Sequence, residues 1–196
     1  MAKCTRIKSR SLYAGRCAGA PALVWAGVPA AAIALALIAG SWDAQANETK
    51  AGARLHDRNG TDVGTVAFTA TPNGVRLHAD LHGLPAGTHG FHLHAIGRCV
   101  GDFKSAGGHY NPDGAAHGFD VADGPHQGDM PNIHVDDTGR LEIEVFLPDV
   151  RLAGDGGLVD SDGAAVVIHA GSDDYHSQPS GAAGPRIACG VIGQEP

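Results

Sequence analysis

The chain has 196 residues, 14 of them Lys or Arg and 21 Asp or Glu, for a formal net charge of −7, and 43% of them are hydrophobic. That length and apolar content suffice for one domain with its own core, and the acidic balance argues against nucleic acid or an anionic lipid surface as a partner. The charge is unevenly placed: Lys3, Arg6, Lys8, Arg10 and Arg16 precede an uncharged apolar run over 22–40, and Asp43 is the only acidic residue before position 47.

A basic segment, an apolar segment and the small residues Ala44 and Ala46 follow one another in the order of an export signal cut after Ala46. The expected organisation is a signal peptide over 1–46 and one domain over 47–196. The alternative is an uncleaved anchor, because the 19-residue run 22–40 is close to the roughly 20 residues that span a bilayer. The part after Ala46 holds 9 basic against 20 acidic residues and all 12 histidines. Cys4 and Cys17 leave with the signal, so Cys99 and Cys189 remain as a lone pair. Export to an oxidising compartment favours a disulfide between them over two buried thiols.

In chain order, ARLHD (53–57), VGTVAFTAT (63–71), VRLHADL (75–81), GFHLHA (90–95), NIHVD (132–136), RLEIEVFL (140–147), AAVVIHA (164–170) and RIACGVI (186–192) look like strands. Turn chemistry separates them: Asn59-Gly60, Asn73-Gly74, DDTG at 136–139 and DSDG at 160–163. Eight short strands with almost no helical period predict an all-β sandwich or closed barrel. Two segments, 97–131 and 171–185, break the pattern, and loops this long in a compact domain usually carry function.

His92 and His94 stand two apart in a strand, so both side chains project from one face, with Phe91 and Leu93 on the other. The first long loop then supplies His109, His117, His126 and Asp129, and a later strand supplies His169. Neutral imidazoles suit copper and zinc, and three histidines with one carboxylate suit tetrahedral zinc.

GFHLHAIGRC (90–99), SAGGHYNP (105–112), His117, His126, GDMPNI (128–133), VVIHAGSDD (166–174) and GPRIACGVI (184–192) together resemble the copper/zinc superoxide dismutases, in order, from about residue 53 to 193. The resemblance implies an eight-stranded Greek-key β-barrel with two long functional loops. It implies one copper held by His92, His94, His109 and His169, and one zinc held by His109, His117, His126 and Asp129, with His109 bridging. Asp173 would join His92 to His117, Arg186 would stand beside the copper, and Cys99 and Cys189 would be bridged. The implied activity is dismutation of superoxide by a redox-cycling copper, with His109 and Arg186 as catalytic residues; the alternative is a non-catalytic copper-binding module of the same fold.

Phe103 holds the position, six before His109, where the eukaryotic members carry the loop cysteine. The earlier Cys99 matches the bacterial periplasmic and secreted members, so the eukaryotic dimer interface does not carry over, and monomer and homodimer both stay open. The 171–185 loop has no Lys or Arg, which leaves Lys104 as a candidate steering charge. His56, His78, His82 and His134 read as solvated, and His89 as support for the strand that carries His92. His176 reads as exposed or as lining the channel.

Overall fold

The computed structural model describes residues 49–193, so the expected signal or anchor over 1–46 lies outside the described residues. The strands are β1 (Lys50–Asp57), β2 (Asp62–Thr71), β3 (Gly74–Leu81), β4 (Gly87–His89), β5 (Phe91–His94), β6 (Ile133–Val135), β7 (Leu141–Pro148), β8 (Ala164–His169) and β9 (Arg186–Ile192). One 3₁₀ turn, Lys104–Ala106, interrupts the first long loop. Among the described residues no helix is long and apolar enough to cross a membrane.

A curled antiparallel sheet runs β5-β8-β9-β1-β2-β3-β7, and β4 pairs with β6 beside it. β4 and β5 are separated by Gly90 alone. Counted as one interrupted strand they restore the eight expected, with β6 and β7 at the two ends of the barrel wall. The neighbours β5·β8, β9·β1 and β3·β7 are distant in sequence, which is the Greek-key pattern. β4 was not foreseen, because three residues are too short to show alternation. Nor was the irregular stretch 149–163, which carries the chain from β7 at one end of the sheet across to β8, the neighbour of β5 at the other.

Side-chain alternation sorts the walls. Leu55, Phe68, Leu77, Leu81, Phe91, Leu93, Met130, Ile133 and Ile168 are fully buried inside the barrel, each contributing about 1.5–3 kcal/mol relative to exposure. On β7 the outward Glu142 and Glu144 are exposed. β5 and β8 behave differently, because every residue of both is buried. Their inner faces meet the core, and their outer faces lie beneath the two long loops. Phe103, Ala106, Ala165, Val167 and Cys189 form a second apolar cluster, with Cys99 packed against it. The Cys99–Cys189 disulfide, with a sequence separation of 90, ties this loop to β9.

Candidate metal centre

The first long loop docks along β5 by backbone pairing. Leu93 N donates to Gly128 O at 2.9 Å, Tyr110 N to Leu93 O at 2.8 Å, and Gly128 N to Tyr110 O at 2.8 Å. A Cβ on Gly128 would approach Leu93 O to 2.6 Å, so glycine is required where three backbone segments meet. This zipper sets His94 opposite His109 and His92 opposite Asp129. A register shift between Ile168 and His169 then pairs His169 with Arg186; such irregularities often re-aim a side chain at a site.

Two overlapping groups result. One potential ligand atom from each of His92, His94, His109 and His169 lies within 4.8 Å of every other, and the same holds for His109, His117, His126 and Asp129. In the first group each ring has one nitrogen committed. His92 Nε2 donates to Asp173 Oδ2 at 2.6 Å, His94 Nδ1 to Gly107 O at 3.0 Å, and His169 Nδ1 to Gly184 O at 3.0 Å. His109 Nδ1 faces Asp129 Oδ1 at 2.7 Å. The remaining nitrogens, His92 Nδ1 and the Nε2 atoms of His94, His109 and His169, are buried with no hydrogen-bond partner. Four orphaned acceptors in one place are costly as protein alone and suit a cation that prefers imidazole.

In the second group Asp129 Oδ1 also meets His117 Nδ1 at 3.0 Å and His126 Nδ1 at 3.2 Å, and His109 Nδ1 and His126 Nδ1 are 3.4 Å apart. Ligands about 2.0 Å from a tetrahedral zinc stand about 3.3 Å from one another, so these separations fit that ion. Asp129 Oδ2 is occupied separately by the N–H groups of Gly118 and His126, at 3.0 and 2.9 Å. The residues present therefore fit both a copper and a zinc.

Asp173 links the groups, since its Oδ1 also accepts from His117 Nε2 at 3.1 Å and from Tyr175 N at 2.6 Å. Gly181 packs against this carboxylate at φ +67°, and a Cβ there would collide with Asp173 Oδ1 and His117 Nε2. Burial pushes three rings toward neutrality: His92 falls to about 4 despite its Asp173 partner, and His169 to about 4 and His94 to about 2, with His109 and Arg186 adding to burial at the latter two. Burial also lowers His126. For Asp129 burial acts upward, but the His109 contact, the Gly118 N–H and His117 outweigh it and hold the carboxyl below its usual range. Asp173 settles at about 2 in the same way, burial opposed by His92, Tyr175 N–H and His117. At neutral pH the rings with lowered values are neutral and both carboxylates ionised, the state metal binding requires.

The structure brings the seven candidate ligands together in these two groups, with Asp173 between them. Arg186 donates from Nη1 to Phe103 O and from Nη2 to Gly107 O, each at 2.6 Å, so the loop tied by the disulfide also holds this arginine. His89 is buried between His169 O at 2.8 Å and Pro85 O at 2.9 Å, a supporting position. His134 and His176 are exposed, while His78 and His82 are half-buried beside Glu142 and Asp62; His56 is half-buried as well, and its Nδ1 is buried with no partner. Sequence reasoning missed two side-chain amides. Asn132 brackets Asp173 by giving Nδ2 to its carbonyl and accepting its N–H, both at 2.8 Å; Gln178 does the same for His117, at 2.8 and 2.9 Å. Neither stands at a ligand-like spacing.

Comparison with known proteins agrees with this geometry. The family model described as copper/zinc superoxide dismutase matches residues 63–192. A copper/zinc superoxide dismutase of Aquifex aeolicus is 43% identical over 151 residues, covering 75% of this chain and 89% of its own. One from Caulobacter vibrioides is 44% identical over 139 residues, covering 68% and 80%. Among solved structures, a superoxide dismutase-like protein from Bacillus subtilis superposes with a TM-score of 0.69 at 36% identity, covering 71% of this chain and 96% of that one. The copper/zinc superoxide dismutase of Brucella abortus gives 0.60 at 27% identity, covering 74% and 99%.

Proposed function

Because the chain belongs to the copper/zinc superoxide dismutase family, we propose that it converts two superoxide anions and two protons to dioxygen and hydrogen peroxide. We assign one copper to His92, His94, His109 and His169, and one zinc to His109, His117, His126 and Asp129. The observation that carries this reading is the convergence of four buried, unpartnered ring nitrogens beside a half-buried arginine. When bound, copper supplies a one-electron couple between Cu²⁺ and Cu⁺, and zinc a charge that does not change during turnover.

The chain's own residues do the rest. His109 alone places one nitrogen in each group, so its Nε2 is the atom that takes up and returns a proton, while Nδ1 stays with Asp129, His117 and His126. Asp173 keeps the protons of His92 and His117 on Nε2, which frees Nδ1 of both rings toward the two groups; partners of this kind fix ring orientation and tautomer. Arg186 spends two of its five N–H donors on Phe103 O and Gly107 O. Three remain for an anion arriving beside His169.

The disulfide supports export of the domain 47–196 to the periplasm or beyond, with 1–46 as the signal; an exported protein whose intact mass begins at Asn47 is the expected result, and retained residues would indicate the anchor. Pulse radiolysis with elemental analysis tests the activity. One copper, one zinc and rapid superoxide removal are expected of the loaded mature protein. Copper bound without turnover would instead support the non-catalytic module, and zinc alone would overturn the copper assignment.

A further inference from the structure

A cavity of about 490 Å³ opens beside His169, bounded by Arg58, Asp102, Lys104, Ser180 and Arg186 among others. Arg58 belongs to no motif of the sequence. It sits in the turn after β1, 128 positions before Arg186, and its Nε donates to the Arg186 carbonyl oxygen at 2.8 Å. The cations of this cavity are not equivalent. Lys104 Nζ lies 2.9 Å from an Asp102 carboxylate oxygen, so that pair is nearly neutral at a distance. The other Lys and Arg ion pairs among the described residues are Arg54–Asp62 and Arg76–Glu144; Arg58 and Arg186 have no carboxylate partner. The nearest acid in sequence, Asp57, is occupied within its own turn by the N–H groups of Asn59 and Thr61, both at 2.8 Å. Two positive charges with no ion-pair partner therefore flank the entrance, offset only at longer range by Asp102, on a domain that is otherwise strongly acidic.

We propose that Arg58 is a second positioning residue for the substrate anion, drawing superoxide into this cavity and handing it to Arg186. The assignment rests on the dismutase reading given above. A unit charge on the order of 10 Å from an anion in water raises its local concentration about twofold, and more where protein replaces water. The contribution fades as the screening length falls from about 30 Å at 0.01 M salt to about 3 Å at 1 M.

Pulse radiolysis of wild type, Arg58→Gln and Arg58→Lys, with copper content checked, reads the effect on rate. Titration of the metal-free proteins with inorganic phosphate, followed by the amide shifts of Ser180 and Arg186, reads anion binding without turnover. Arg58→Gln is expected to lower the low-salt rate about two- to fourfold, flatten its salt dependence and weaken phosphate by a similar factor; Arg58→Lys is expected to restore most of each. Unchanged salt slope and phosphate affinity in Arg58→Gln would overturn the proposal. So would an Arg58→Lys protein as impaired as Arg58→Gln, since the hydrogen bond to Arg186 O rather than the charge would then matter. A wild type that binds phosphate through Arg58 but removes no superoxide would refute the dismutase reading alone.

Discussion

Replacing both Cys99 and Cys189 by Ala removes a cross-link that spans 90 residues and leaves no hydroxyl in the apolar cluster around it. In the chain-entropy model a loop of that size stabilises the folded state by about 4–5 kcal/mol at 25 °C. Against total stabilities of about 5–15 kcal/mol, the loss would leave the metal-free protein marginal. The change also reaches function, because the loop after Cys99 carries Phe103 O and Gly107 O, the two acceptors that hold Arg186. Phe103 and Ala106 stay buried against Ala165 and Val167, so the loop is loosened rather than released. A severalfold lower rate per bound copper is therefore expected beside the stability loss. Urea unfolding of the metal-free protein, oxidised, reduced and as the double variant, measures the first effect; the reduced and double-variant curves should coincide. A double variant within about 1 kcal/mol of the oxidised protein would refute the reasoning, since the chain-entropy model gives about 4–5 kcal/mol for this 90-residue closure.

Arg186→Ile should lower the second-order rate about tenfold or more at unchanged copper content, and Arg186→Lys should lose less, because focused local charge changes association by roughly 10- to 1000-fold; a full-copper Ile variant at wild-type rate would show that the charge does not act there. His117→Ala should weaken zinc first and disturb copper second through Asp173, as chelator competition for each metal would reveal, and copper loss ahead of zinc would contradict the assignment. For the metal-free protein, His92, His94 and His169 are held at about 4, 2 and 4, below the unfolded value of about 6.5. The unfolded chain then binds more protons below pH 6.5, so stability is lost as pH is lowered, by on the order of 2 kcal/mol per ring between pH 7.5 and 5. Asp129 and Asp173 are shifted downward too, so their contribution is present above about pH 4 and does not mask the effect. A chemical denaturation midpoint that stays flat across this window would refute it.

Much of the barrel was legible because its strands have one wet face and one dry one. RLEIEV alternates along β7, and Leu141, Ile143 and Val145 pack against the core while Glu142 and Glu144 stay outside. AAVVIH shows no alternation, since loops cover the outer face of β8, yet its β-branched run still marked it. The three-residue β4 exists through its pairing with β6, a tertiary fact with no local signature. At the site, the candidate ligands stood out as an HxH strand, a loop that gathers three histidines and Asp129, and His169 in a later strand, but their division into two groups came from the family resemblance. The groups that hold these ligands could not be read. Gly107 O and Gly184 O are backbone atoms, Asn132 and Gln178 act by imitating backbone, and Arg58 comes from a turn at the far end of the chain; Asp173 was picked out only through the family resemblance.

His92 and His94 show how strand and loop divide the work. The strand gives both the same direction, and their ring centroids lie 6.5 Å apart, close to the roughly 6.6–6.8 Å rise between residues i and i+2. Direction alone does not choose a ligand atom, for each neutral ring has two nitrogens and one proton. The second long loop supplies Asp173 to His92 Nε2, and the first supplies Gly107 O to His94 Nδ1. The two rings are thereby held in opposite tautomers, and the orphaned atoms are Nδ1 on one and Nε2 on the other. An HxH strand is thus only half of the proposed copper site. The other half is carried by loops that place one acceptor behind each ring, and this accounts for the close approaches at Gly128, which docks the first loop on β5, and at Gly181, which packs against Asp173 and His117.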